Sequence, residues 1–442
     1  MHRTSLALLA VAASISILWG IALEKGPGVG VMGFPGIYLG TKCLLQGGDP
    51  YNVQQLQNVY EKAGINNTLS SPALRQSVTL YVNLPPTFLL VAPFALLPLA
   101  TAQALWMVLV VASFLFAAYL MWNLAERYAA SLALLLTFIM LANCEILFSG
   151  GNTAGFVVSL AVIATWCFLQ DRFPHIGVLC LAISLSIKPH DAGLIWLYFL
   201  LAGSTLRKRA IQACALSLFM VALASLWVSH VAPRWVPELG TNLATISGPG
   251  GINEPGPTSI GVGSPDMIID LQTVLSLFGD DPHVYNPLTY VLCGIIFLAW
   301  LIAIMRFPAS SQSAWFALVS CVALSMLVTY HRSYDAKLLL LSIPACAMLW
   351  KRGGPIAWAA LLLSSAGIVC TADIPLAILM RLTRNLYSPG ASIIARAAVA
   401  VATRPAPLVL LAIAIFYLFV YIRLNRSEAL AHESTLTPIS SC

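Results

Sequence analysis

Long apolar runs follow one another with almost no charge between them, and this pattern leaves the chain few ways to fold. Only 9% of its residues are charged and 59% are hydrophobic, with a mean hydropathy of +0.85. A soluble domain carries about a quarter charged residues, so this chain cannot clothe a water-facing surface. A membrane crossing takes about 20 apolar residues in a helix. Within lipid, only helices or closed barrels satisfy their own backbone hydrogen bonds. Runs such as 5–23, 102–122, 210–229, 287–305 and 405–422 fit a helical crossing. The expectation is an all-α polytopic membrane protein: a single bundle of about 12 transmembrane helices.

The net charge of +6 does not point to nucleic acid, because the basic residues cluster where short loops would anchor a bundle. Lys and Arg are enriched in short cytoplasmic loops. Arg3, Arg207 to Arg209, Lys351 with Arg352, and Arg423 with Arg426 therefore belong inside. Both termini then lie in the cytoplasm. His2 and Arg3 before an apolar run resemble a signal peptide, but no small-residue cleavage site follows, so an uncleaved first span is expected. Crossings alternate from these anchors only if one apolar segment fails to cross. The short, proline-rich stretch 84–98 is that segment, re-entrant or lying against the bundle. A bacterial inner (plasma) membrane is the expected setting.

Two long loops, 24–83 and 231–286, fall on the extracytoplasmic side. In the first, the pair Gly47-Gly48 and Asp49-Pro50 signal a turn, and 53–63 reads as a short amphipathic helix. In the second, the Gly/Pro stretch from Gly248 to Pro257 resists regular structure, and a mobile lid is expected there. The ten cysteines sit mostly inside apolar runs, as small packing residues. Asn66-Asn67-Thr68 matches a glycosylation sequon, a weak pattern. No Walker loop, GxSxG or HExxH is present, and no acidic pair marks a metal site, so no metal and no cofactor are expected.

Ionisable residues at the ends of spans are costly, and so point to function. Lys188, His190 and Asp191 lie between two apolar segments too short to be ordinary spans. A Lys and a His at such a break suit a phosphate or diphosphate. The alternative is a plain loop with ordinary charges. The densest cluster runs from Tyr330 through His331, Arg332, Tyr334 and Asp335 to Lys337. His331 would stabilise a leaving phosphate or share a proton with a carboxylate, and Arg332 and Lys337 would pair with phosphate oxygens. A hydrated hairpin with an Arg–Asp pair is the alternative. Asp49 is either a turn residue or a general base for a hydroxyl. Asn152 caps the helix that follows it, at an N-terminus that would also suit an anion.

Several motifs in order carry a resemblance: Gly48-Asp49-Pro50-Tyr51, Tyr81-x-Asn83-Leu84-Pro85-Pro86, Gly151-Asn152, Lys188-Pro189 and His331-x-x-Tyr334-Asp335. Together they resemble glycosyltransferase family 87, of the GT-C class, over roughly residues 30–350. The resemblance implies a polyprenyl-phosphate sugar as donor and a lipid or glycan acceptor. Transfer of a hexose, mannose favoured, would occur at the outer face with inversion. It also implies a carboxylate base from the first loop, His331 as a second essential group, and Tyr51 beside the substrate. Related sequences carry an aspartate just before the Phe-x-x-Tyr stretch, where this chain has Gly33. The base is then Asp49, Asp335 or Asp191, or the chain is catalytically altered. A transporter or flippase, or a non-catalytic binder of a prenyl-phosphate lipid, is the competing reading.

Overall fold

The computed structural model describes residues 2–24, 33–64, 78–257, 259, 267–307, 310–383, 386–388 and 390–436. The sequon at 66–68 lies outside them. The described residues form helices throughout, with a single isolated β-bridge. Five of these helices are long and apolar enough to cross a membrane: His2–Leu23, Leu99–Leu141, Thr205–Val231, Pro282–Arg306 and Pro405–Ser427. A bent pair, Gly354–Cys370 with Asp373–Thr383 at 71°, makes a sixth if the two count as one span.

The expected number of about 12 crossings is thus not met by helix length. Two expected spans are one 43-residue helix, Leu99–Leu141, broken only by the non-helical backbone of Ala129. Others are short because they sit inside the bundle, walled by protein rather than lipid. Thr153–Leu169 and Ser313–Val328 are buried almost all round, the mark of a central helix. Ser313–Val328 packs along Pro405–Leu436, and Thr153–Leu169 along Pro174–Ile187. The segment Pro86–Ala95 has ten residues with Pro93 inside it, a length of about 15 Å, half of what a crossing needs.

The loop segments are more ordered than their composition suggests. Val53–Lys62 is a helix capped by Asn52, whose side chain accepts from Gln55 N at 3.2 Å. Within 231–286, Trp235–Ser247 is helical, ahead of the Gly/Pro stretch. Its buried residues Leu239, Asn242 and Ile246 repeat at helical spacing, so one face docks. Asn242 Nδ2 donates to the carbonyls of Tyr51 (2.9 Å) and Tyr81 (3.1 Å), tying the second loop to the first. The Gly/Pro stretch after Ser247 is non-helical, as its composition implies.

Candidate active site

Two breaks in the helical bundle meet at one buried cluster. The first is Lys188. Proline disfavours helical backbone in the residue before it, and Pro189 sits comfortably in the first turn of a new helix. Lys188 accordingly has φ −135°, ψ 78° between the helices Pro174–Ile187 and Pro189–Leu201. Its side chain is released to reach across the fold. Asp191 lies in the first turn of the second helix, where a carboxylate is favoured by the exposed N–H groups.

The second break follows Ser313–Val328, which ends at Thr329 in extended conformation. The chain then passes through His331 and enters a 3-10 helix, Asp335–Leu341. Residues of the loop 231–286 clamp this stretch. Ile269 N donates to His331 O at 2.9 Å, Ser333 N donates to Met267 O at 3.1 Å, and Ile268 bridges Arg332 antiparallel. Leu271 N donates to Leu327 O.

Lys188 Nζ lies 2.6 Å from Asp335 Oδ1 and 3.2 Å from Asp191 Oδ2. His331 Nε2 lies 3.1 Å from Asp191 Oδ1. Both carboxylates and His331 are fully buried. Asp335 Oδ2 also accepts from Arg332 N at 2.9 Å, so both its oxygens are committed. His331 Nδ1 is 2.8 Å from the Thr329 carbonyl. A carbonyl only accepts, so Nδ1 carries the proton and Nε2 is turned toward Asp191. Neither Nε2 nor the Asp191 oxygens complete an aligned hydrogen bond. Burial alone would lower the His331 pKa. The Asp191 carboxylate, with Asp335 behind it, outweighs burial and raises it.

His190 joins this group. Its ring lies 5.0 Å from that of His331, centroid to centroid, at 72°. Its Nε2 is 3.9 Å from Asp191 Oδ1. Arg332 stands next to the cluster: its guanidinium donates to Tyr330 Oη, Ile252 O and Asn253 Oδ1. The loop 252–253 is thereby fastened beside His331.

The other expected site residues lie in different surroundings. Lys337 is buried and donates to the carbonyls of Asn143 (2.9 Å) and Thr371 (3.2 Å), with Asp373 Oδ1 at 3.4 Å. It anchors the 3-10 helix from behind. Asn152 spends its side-chain oxygen on Ala154 N, 2.9 Å away, as a helix cap. The ring of Tyr51 is enclosed by Tyr81, Phe88 and Trp235, and its hydroxyl donates to Asn83 O at 2.8 Å. Asp49 accepts from Tyr51 N at 2.9 Å, the turn geometry expected of it. It also contacts Glu238 of the helix Trp235–Ser247. Burial, a hydrogen bond with Asp49 and the Asp49 charge all raise the Glu238 carboxyl. Sequence reasoning missed this second carboxyl, because nothing in the two distant segments marks them as neighbours.

At Gly33 no side chain fits: a Cβ there would lie 1.4 Å from the Gly150 carbonyl oxygen. Backbone meets backbone at this position.

Compared with known proteins, the chain matches the family model "Glycosyltransferase family 87" over residues 81–330. That span contains Lys188, His190 and Asp191 and ends one residue before His331. No curated protein and no solved structure matches. With more than half of the chain inside the family model, this helical membrane protein belongs to glycosyltransferase family 87.

Proposed function

We propose that this membrane glycosyltransferase moves a hexose, mannose favoured, from a polyprenyl-phosphate sugar to a hydroxyl of a lipid or glycan acceptor at the extracytoplasmic face. The acceptor oxygen attacks the anomeric carbon, the bond from that carbon to the phosphate oxygen breaks, and polyprenyl phosphate leaves. The product has inverted configuration. The acceptor proton passes to a carboxylate, Asp49, with Glu238 at its side to share it.

The observation that supports this reading is the buried Lys188, held at 2.6 Å and 3.2 Å by Asp335 and Asp191 beside His331. Charge develops on the leaving phosphate, and fixed cations in a water-poor site stabilise it without reorganising. Asp191 and Asp335 keep Lys188 charged and aimed. His331, directed by the Thr329 carbonyl, presents Nε2 at the edge of the same cluster. Asp335 has both oxygens engaged, and Asp191 holds Lys188 through one of its own, so Asp49 is the preferred base. Gly33 is closed off by Gly150 and lies at the opposite end of the helix Phe34–Leu45 from Asp49, so Asp49 acts as a base in its own place rather than in that of Gly33.

The test is to supply reconstituted vesicles with a panel of polyprenyl-phosphate hexoses and an outer-leaflet lipid extract. The expected products are one inverted glycoside and an equal amount of free polyprenyl phosphate. A retained configuration, or donor taken across the membrane intact, would contradict the reading.

A further inference from the structure

Three ligand atoms converge in the cluster with no aligned partner. His190 Nε2, Asp191 Oδ1 and His331 Nε2 all lie within 4.8 Å of one another. Each is buried and completes no hydrogen bond. Sequence alone gives no metal signature here, since His331 joins two adjacent residues from 140 positions away.

Their orientation is that of a metal site. A ligating histidine commonly gives its other ring N–H to a backbone carbonyl, which fixes the tautomer and aims the free nitrogen. His331 does this through Nδ1 and Thr329 O at 2.8 Å. Two imidazole nitrogens and one carboxylate oxygen form the donor set of open, zinc-type sites. Metal–ligand bonds of about 2.1 Å would place the ligands about 3 to 3.5 Å apart. The pair His331–Asp191 is already at 3.1 Å. His190 Nε2 stands 3.9 Å from Asp191 Oδ1 with its side chain 35% exposed, and since the three ligand atoms spread up to 4.8 Å, a side-chain swing of about 1 Å brings it in. Lys188 does not occupy the position, because it holds the other oxygen, Asp191 Oδ2.

We propose that His190, Asp191 and His331 bind a zinc-type divalent cation whose open position faces the donor phosphate. Asp191 and Asp335 share the charge of Lys188 between them, and a divalent cation on Asp191 Oδ1 would give an anionic phosphate a second positive centre beside it. The proposal rests on the glycosyl-transfer reading for what the cation does, but not for whether it binds.

The full-length protein, purified in detergent, is stripped with a chelator, loaded with Zn²⁺ and desalted. Its metal content is then measured, and a parallel Co²⁺ titration is followed by visible absorption. The expected result is one ion per chain with a tetrahedral or five-coordinate cobalt spectrum. Occupancy should drop at least about tenfold in His190→Ala, the most exposed of the three, with unchanged melting of the stripped protein. Wild type holding no more metal than His190→Ala would overturn the proposal, as would full transfer by the stripped enzyme. Stoichiometric metal without transfer from any donor would uphold the site and sink the transfer reading instead.

Discussion

Lys188 Nζ and Asp335 Oδ1 stand 2.6 Å apart and join two helix breaks that are 147 positions apart in the chain. One break is set by Pro189, the other by the end of Ser313–Val328. This ion pair registers the two halves of the site, since it fixes the 3-10 helix against the first turn of Pro189–Leu201.

Lys188→Met should therefore do two things. It leaves two buried carboxylates uncompensated, a loss of about 3–5 kcal/mol by the usual cost of breaking a buried pair. It also removes the cation nearest the phosphate, so transfer should drop at least about 100-fold. The double variant Lys188→Met/Asp335→Asn should regain part of the melting temperature and none of the activity. Thermal melting in detergent and a transfer assay separate the two effects.

Lys337 makes the opposite case. Its ammonium is spent on Asn143 O, Thr371 O and Asp373. Lys337→Met is expected to lower the melting temperature, while the folded fraction keeps the wild-type KM for donor. A raised donor KM with unchanged melting would place Lys337 at the phosphate after all.

Gly33 is fixed by the approach of the Gly150 carbonyl. Gly33→Ala forces a Cβ against that oxygen, where the built distance is 1.4 Å, and backbone cannot swing aside as a side chain would. The expected outcome is a sharp loss of monodisperse protein in size-exclusion chromatography. Gly33→Asp should fare no better and gain no activity.

Asp270 carries a pH signal. Burial pushes its carboxyl up to about 7, against backbone hydrogen bonds from Thr273 and Gln272 that would lower it. An unfolded aspartate titrates near about 3.9. The folded protein therefore favours the protonated form, and the stability this provides is complete below about pH 4 and lost as pH rises to about 7. Asp270→Asn keeps the shape without the charge. Its melting temperature should exceed that of wild type by an amount that grows from pH 4 to pH 7 and then levels off. A constant difference across that range would contradict the account.

Much of the site was legible because ionisable residues stand out in so apolar a chain. Lys188, Asp191, His331 and Asp335 were each visible as charges at span ends, and the structure brings them together. Their mutual pairing was not legible, because it depends on how the two breaks stack. Lys337 lies only two residues from Asp335, yet the turn of the 3-10 helix carries it into a separate buried network. Tyr51 reads as a loop residue by composition but is walled in by three aromatic rings. The helical class followed from lipid physics, whereas the number of crossings did not. Interior helices such as Thr153–Leu169 are sheltered by protein and need not match the membrane's thickness. The helix Trp235–Ser247 was hidden by the Gly/Pro stretch beside it, which dominates the look of that loop.

The most direct measurement of the central claim is sugar transfer in reconstituted vesicles from radiolabelled polyprenyl-phosphate donors, comparing wild type with Asp49→Ala, Asp335→Ala and His331→Ala. The account predicts transfer by wild type, lost with His331→Ala and with Asp49→Ala. Absence of transfer from every donor, with labelled lipid still bound by wild type, would contradict it and leave a protein that binds or moves prenyl-phosphate lipid.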